Sequence, residues 1–373
     1  MIIRAPRLFD GIRFDDARDV VIEAGRVTAL RPAGSAEATE LPDGAMLMPG
    51  FIDLQVNGGD GVMLNDNPAP GRLRRIARAH AKAGSTTILP TLISGTRPLL
   101  AATLAAGREA IGEGAAGVAG IHLEGPFLAP TRRGVHPAEA MTLPTEEDIA
   151  ALCAPFPGRL LVTLAPDMVP PAVVARLVAA GVIVFAGHTD GSFAQIEAGL
   201  AAGISGFTHL YNAMSPFTVR EPGAVGAALD HPTARAGIIA DRLHVHPAAI
   251  RVALRCMGPE RLFLVSDAMA TAASDVTAFE LYGQKITLTD GRLTNEGGTL
   301  AGAHLTMAEA VQIAVRDIGI SLADALTMAT RTPADVLGRS DLGRIARGAA
   351  ADFVALDRDL SVIGVWQAGQ RIR

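Results

Sequence analysis

The stretch LLVTLAPDMVPPAVVARLVAAGVIVFAGHTDGSFAQIEAGLAAGISGFTHLYNA, residues 160–213, decides the fold. Three apolar runs of strand length, LLVTLAPD, VIVFAGHT and GFTHLYNA, alternate there with two Ala-rich stretches, PPAVVARLVAAG and SFAQIEAGLAAG, that read as helices. Strand followed by helix, repeated, builds a parallel sheet. Working outward, FIDLQVNG (51–58), TTILPTLIS (86–94), GIHLEGPF (120–127), AGIIADRLH (236–244) and LFLVSDAM (262–269) have the same strand character, and TMAEAVQIAVRDIG (306–319) is a further helical stretch. Eight strands are the number that closes a (β/α)8 TIM-type barrel, which residues 50–340 are expected to form.

A doubly wound open sheet is the structural rival, and GEGAAG (112–117) matches the dinucleotide pattern GxGxxG. It follows a helix and precedes a strand, the wrong order for cradling a pyrophosphate at a helix start, so the barrel is preferred. The two ends of the chain differ in texture. DVVIEAGRVTAL (19–30) and ADFVALDRDLSVIGVWQAGQRIR (351–373) both read as strand, Gly turn, strand. Residues 1–49 and 341–373 are therefore expected to complete one small β-sandwich domain. At 373 residues the chain is longer than one hydrophobic core usually serves, which suits such a division.

An apolar fraction of 49% with 19% charged residues is that of a globular protein. Net charge is −5, and no Lys/Arg cluster suggests a surface for nucleic acid or an anionic membrane. The only lysines are Lys82 and Lys285. Cys153 and Cys256 form no CxxC, so neither a disulfide framework nor a thiolate zinc site is expected. The opening MIIRAPRLFDG lacks the layout of a signal peptide, and Arg97, Arg108, Arg176 and His188 interrupt the apolar runs before membrane-spanning length. A cytoplasmic protein is the reading.

In barrels of this kind chemistry sits where strands end, and polar residues stand there: Gln55, Asn57, Glu124, His188, His209, His244 and Asp267. A carboxylate and two imidazoles, Glu124, His188 and His209, form a candidate site for a divalent metal, zinc foremost and iron or another ion acceptable. Asp267 is the candidate general base for a water held there, and His136, in TRRGVHPAEAM, the candidate for polarising a scissile carbonyl. His122, two before Glu124 on the same strand face, is read as packed one layer deeper. Surface or capping roles are expected for His80, His231, His246 and His304, and core filling for Met257, Met269 and Met307.

With HLEGPF (122–127), GHTD (187–190), THLYNAM (208–214), REPG (220–223), IIADRLHV (238–245) and VSDAM (265–269), the sequence closely resembles the N-acetylglucosamine-6-phosphate deacetylases of the amidohydrolase superfamily. The resemblance spans nearly the whole chain. It implies a metal on Glu124, His188 and His209, Asp267 as acid/base and His136 at the carbonyl. It further implies a sugar-phosphate pocket drawing on Val135, Asn212, Ala213, Arg220 and His244, with Leu300, Ala301 and Gly302 of the loop GTLAG (298–302). In the resembled family the arginine reaches the neighbouring subunit's site, so a homodimer with Arg220 crossing the interface is expected. The chain departs from two-metal superfamily members on the first strand. Where they carry His-x-His, this chain has Gln55 and Asn57, poor ligands for a transition metal. Neither Lys82, in a helical stretch, nor Lys285, in a strand far from the barrel core, is placed to bridge two ions, so one ion per chain is expected, with Gln55 left to hydrogen-bond ligand or water. The galactosamine isomer of the substrate and a non-catalytic sugar-phosphate binder are the alternative readings.

Overall fold

In the computed structural model, which describes residues 1–373, the eight expected segments form one parallel sheet in chain order. Its strands are Phe51–Val56, Ser85–Ile93, Gly120–Glu124, Arg159–Leu164, Ile183–Ala186, Gly206–Phe207, Arg235–Ile239 and Leu262–Val265. The ends of the sheet meet. Val56 bridges Ala268 in parallel, the Asn57 N–H donates to the Ala268 carbonyl at 2.9 Å, and the Ser266 N–H donates to Asp53 Oδ1 at 3.2 Å. The seam between first and eighth strands is thus closed partly by side chains. The sixth strand is only two residues long, because the chain leaves extended geometry at once: His209, Tyr211 and Ala213 all have positive φ. Gly206 is required there, since a Cβ would lie 2.5 Å from the Phe185 ring and 2.7 Å from the Arg235 carbonyl.

Helices cover the barrel where the Ala-rich stretches stood. PPAVVARLVAAG gives Pro171–Ala179 and SFAQIEAGLAAG gives Phe193–Ala201, the latter started by a capping box between Ser192 and Gln195. TMAEAVQIAVRDIG begins with a second capping box, Thr306 with Glu309, and closes in a π turn, Ala314–Ile318, stopped by left-handed Gly319. GEGAAG proves to be a helix-to-strand turn with Gly114 and Gly117 at positive φ.

Strands from both chain ends form two further sheets. Met46–Pro49 pairs in parallel with Arg7–Phe9 and antiparallel with Phe353–Leu356, while Ile2–Ala5, Arg18–Glu23 and Arg26–Pro32 lie in the other sheet. Ile3, Val20, Ile22 and Val27 of one sheet pack with Leu8, Leu47, Phe353 and Trp366 of the other in a core of their own. One element was foreseen only as the strand holding Lys285: an antiparallel meander, Ala278–Leu281, Gln284–Thr289 and Arg292–Thr294, inserted between the eighth strand and its helix. Its Leu281, Ile286 and Leu293 pack on Met63, Ile93, Met269 and Ala301 at the barrel mouth.

Two expectations are corrected. His80 is not at the surface: helix Pro70–Lys82 buries it fully, and its Nε2–H donates to the Gly58 carbonyl at 2.9 Å. The same helix carries Arg72, Arg74, Arg75, Arg78 and Lys82, a basic cluster that composition alone hid. Arg72 pairs with Asp66 at 2.8 Å, Arg75 with Asp60 at 2.7 Å and Arg74 with Glu113, so much of that charge is neutralised locally. His246 and His231 do cap, accepting N–H bonds from Ala248 and Ala234. No helix is long and apolar enough to cross a membrane.

Candidate active site and metal centre

Glu124 is the last residue of the third strand; His188, His209 and Asp267 each lie two residues past the fifth, sixth and eighth. The three that lie past a strand have left-handed backbones, φ +48°, +32° and +51°. A non-glycine residue rarely adopts that region, and clusters of such residues mark sites where side-chain direction overrides local comfort. The turn swings each side chain inward over the barrel axis.

There they converge. His209 Nε2 is 2.9 Å and His188 Nε2 3.2 Å from Glu124 Oε1, and the two nitrogens are 3.0 Å apart, all buried. His188 Nδ1–H donates to the Arg132 carbonyl at 2.8 Å, so in the neutral ring the lone pair is on Nε2, the form in which histidine binds metal. Electron-rich atoms packed this closely need a positive charge among them. Burial pushes the Glu124 carboxyl up, but bonds to His188 and His209 outweigh it and hold the group well below its ordinary value. Burial lowers His209, yet the Glu124 carboxylate raises it overall. One carboxylate and two imidazoles within 4.8 Å of one another fit a divalent cation.

Beside this trio, the first-strand amides turn to carboxylates. Gln55 Nε2 donates to Glu124 Oε1 at 2.9 Å and to Asp267 Oδ1 at 3.1 Å; Asn57 Nδ2 donates to the same Asp267 oxygen at 2.7 Å. Asp267 therefore has Oδ1 held by two donors. Burial, aided by the Glu124 charge, pushes its carboxyl up to about 6. His136 is buried with its ring 4.4 Å from that of His188 and Nε2 3.8 Å from Glu124 Oε2; burial first, then His188, drives its basicity well down. His122 sits one layer below, as expected, donating from Nδ1 to the Leu54 carbonyl at 3.0 Å and meeting Thr163 Oγ1 at 2.7 Å.

A cavity of about 160 Å³ opens over these groups. Val135, Asn212, Ala213, His244, Leu300 and Gly302 line it together with Asn57, Glu124, His136, His188, His209 and Asp267. Three sequence candidates are not part of its wall. Gln55 lies outside the lining, bonded to Glu124 and Asp267 as described; Ala301 packs in the apolar cluster at the mouth; Arg220 is exposed on the loop after His209. No Arg or Lys lines the cavity. Asp241 escaped the sequence reading. It accepts His244 Nδ1–H at 2.6 Å and so directs the ring, a role that only its spacing three before His244 hints at.

An amidohydrolase family model matches residues 46–372. The chain is 42% identical to an N-acetylgalactosamine-6-phosphate deacetylase of Shewanella sp. (strain ANA-3), over 94% of this chain and 90% of that one. It is 33% identical to an N-acetylglucosamine-6-phosphate deacetylase of Vibrio furnissii, over 99% and 94%. The crystal structure of N-acetylglucosamine-6-phosphate deacetylase from Pasteurella multocida superposes with a TM-score of 0.94 at 31% identity, covering 98% of this chain and 97% of that one.

Proposed function

Because this chain belongs to the amidohydrolase family, beside the N-acetylhexosamine-6-phosphate deacetylases, we propose that it hydrolyses the acetamide of N-acetylglucosamine 6-phosphate to glucosamine 6-phosphate and acetate. The observation that carries this reading is the convergence of Glu124, His188 and His209 beside the carboxyl of Asp267 under one small cavity. We take the metal to be a single divalent ion, zinc foremost, held by those three side chains, because the first strand offers only amides already bonded to carboxylates. Such an ion supplies acidification of a water and polarisation of a carbonyl.

The chain's own residues do the rest. Asp267, with Oδ1 held by Gln55 and Asn57, takes a proton from the attacking water on its other oxygen and returns it to the amine nitrogen as the C–N bond breaks. His136 faces the acyl oxygen as it gains charge. Water's oxygen ends in acetate, and the transferred proton ends on the amine. Asn212, Ala213 and His244 receive the sugar phosphate, and Leu300, Gly302 and Val135 form the apolar wall. A dianionic phosphate needs a cation that this chain's cavity lacks, which supports a homodimer in which Arg220 enters the partner's site. Exposed Phe217 (61%) and Val219 (97%) beside it suit an interface. The free cysteines suit a cytoplasmic setting.

The relative at 42% identity favours a second reading, the galactosamine isomer as substrate. An acetate-release assay on purified protein, comparing both N-acetylhexosamine 6-phosphates and their unphosphorylated forms, tests both. Turnover of the gluco phosphate is expected; a strong preference for the galacto phosphate would select the second reading, and no acetate from either would overturn both.

A further inference from the structure

Ser94 directly follows the second barrel strand and has no part in the roles given above. Its side chain and its backbone address one atom of a neighbouring ring. Ser94 Oγ is 2.8 Å from His136 Nδ1, and the Ser94 peptide N–H donates to that same nitrogen at 3.3 Å. A peptide N–H can only donate, so the nitrogen receiving it carries a lone pair. The proton of neutral His136 must then sit on Nε2, the nitrogen turned toward Glu124. The opposite tautomer would aim two N–H groups at each other and leave a buried donor without an acceptor, a costly arrangement. The Ser94 hydroxyl also lies 3.3 Å from the Glu124 carbonyl, but Nδ1 is the nearer acceptor.

The other side of the same peptide is gripped by the inserted meander. Tyr282, in the turn after Ala278–Leu281, donates its hydroxyl to the Ser94 carbonyl at 2.6 Å and accepts from Asn65 Nδ2 at 2.8 Å. Asn65 in turn bonds both the Ile93 carbonyl, at 2.7 Å, and the Ile93 N–H, at 3.2 Å. Ser94 is therefore fixed in position by groups from three separate segments.

We propose that Ser94 is the positioning residue that sets the tautomer of His136, and that Tyr282 gives the insert its purpose by holding the Ser94 peptide against the ring. His136 is thereby a standing Nε2–H donor for the acyl oxygen, an inference that rests on the placement of His136 at the carbonyl in the proposed reaction.

Long-range proton–nitrogen correlation spectra of the metal-loaded protein, labelled with ¹⁵N at its histidines, test it directly. Comparison with His136→Gln assigns the ring. A pyridine-type Nδ1 and a protonated Nε2 are expected for His136 in the unaltered protein; a protonated Nδ1 would overturn the proposal whatever the Ser94 and Tyr282 variants do. Ser94→Ala should shift the Nδ1 resonance and lower kcat about tenfold, as loss of one hydrogen bond implies, with KM little changed. Ser94→Thr should restore both, and Tyr282→Phe should shift the same resonance less. An unchanged spectrum and kcat in Ser94→Ala would also overturn it. Full turnover in His136→Gln would instead sink the carbonyl role, while the spectra still decide the tautomer.

Discussion

Replacing Asp267 by Asn separates chemistry from architecture at this site. The two donors on Oδ1, Asn57 at 2.7 Å and Gln55 at 3.1 Å, would meet the amide oxygen of Asn, so the seam and the metal ligands should survive. What disappears is the proton acceptor, and kcat should fall by about 10² or more, about 3 kcal/mol of barrier. The acid limb of kcat/KM should vanish with it. Asp267 titrates near 6 in the metal-free protein and must be ionised to act; a nearby cation favours the ionised form, so the limb of the loaded enzyme lies at or below about pH 6. Stability should move the opposite way. A folded value near 6 against an ordinary 3.8 means that this group's contribution is full below about 3.8 and lost as pH rises through 6. Metal-free Asp267→Asn should therefore melt above metal-free wild type at pH 8, with the gap narrowing at pH 5, and the better tolerance of Asn for φ +51° acts in the same direction. Steady-state acetate release, metal analysis and thermal unfolding at the two pH values read all three effects. Near-normal turnover would refute the base assignment; loss of the metal along with activity would make Asp267 a ligand.

Extensive dialysis should leave one strongly held ion per chain, and His188→Ala should lose metal and activity together; two retained ions would contradict the reading of Gln55 and Asn57. Mixing Arg220→Ala with Asp267→Asn protein under subunit exchange should regain activity if the arginine crosses the interface, since each mixed dimer then has one site with both residues. No activity above the parents, with exchange shown, would place Arg220 in its own chain's service or in none. Asp53 is buried with Oδ2 unpartnered, and burial foremost pushes its carboxyl up to about 7. Its stabilisation is full below the ordinary 3.8 and lost as pH rises through 7, so the melting-temperature difference between Asp53→Asn and wild type should favour the variant more at pH 8.5 than at pH 5.5; a pH-independent difference would mean that Asp53 does not titrate in that range.

The barrel was legible because its strands are short apolar runs that stop at polar residues, as IHLE stops at Glu124 and LFLVSD at Asp267. That Glu124, His188 and His209 meet at one end of the barrel followed from the same signal. The partners of Gln55 did not, because Glu124 and Asp267 lie 69 and 212 positions away and nothing local distinguishes an amide facing substrate from one facing a carboxylate. The left-handed turns at His188, His209 and Asp267 were equally hidden, since each residue continues a strand-like run. His80 misled because a polar residue among arginines reads as solvent-facing, while its acceptor, the Gly58 carbonyl, belongs to another segment. Beyond the strand holding Lys285, the meander was missed because its alternation begins after the eighth strand, where a helix is due.

The small sandwich has a consequence in time. Met46–Pro49 waits for Phe353–Leu356, roughly 300 residues later, and at about 5–20 residues per second a ribosome takes on the order of 15–60 s to supply it. During that interval Leu8, Leu47, Val20 and Ile22 lack Phe353 and Trp366, the side chains that cover them in the finished molecule. Nascent chains arrested before Phe353 should accordingly be cut by protease within the first 49 residues and bind holdase chaperones there, whereas chains arrested with Trp366 clear of the exit tunnel should resist; equal protection in both would mean that the amino-terminal strands find order alone.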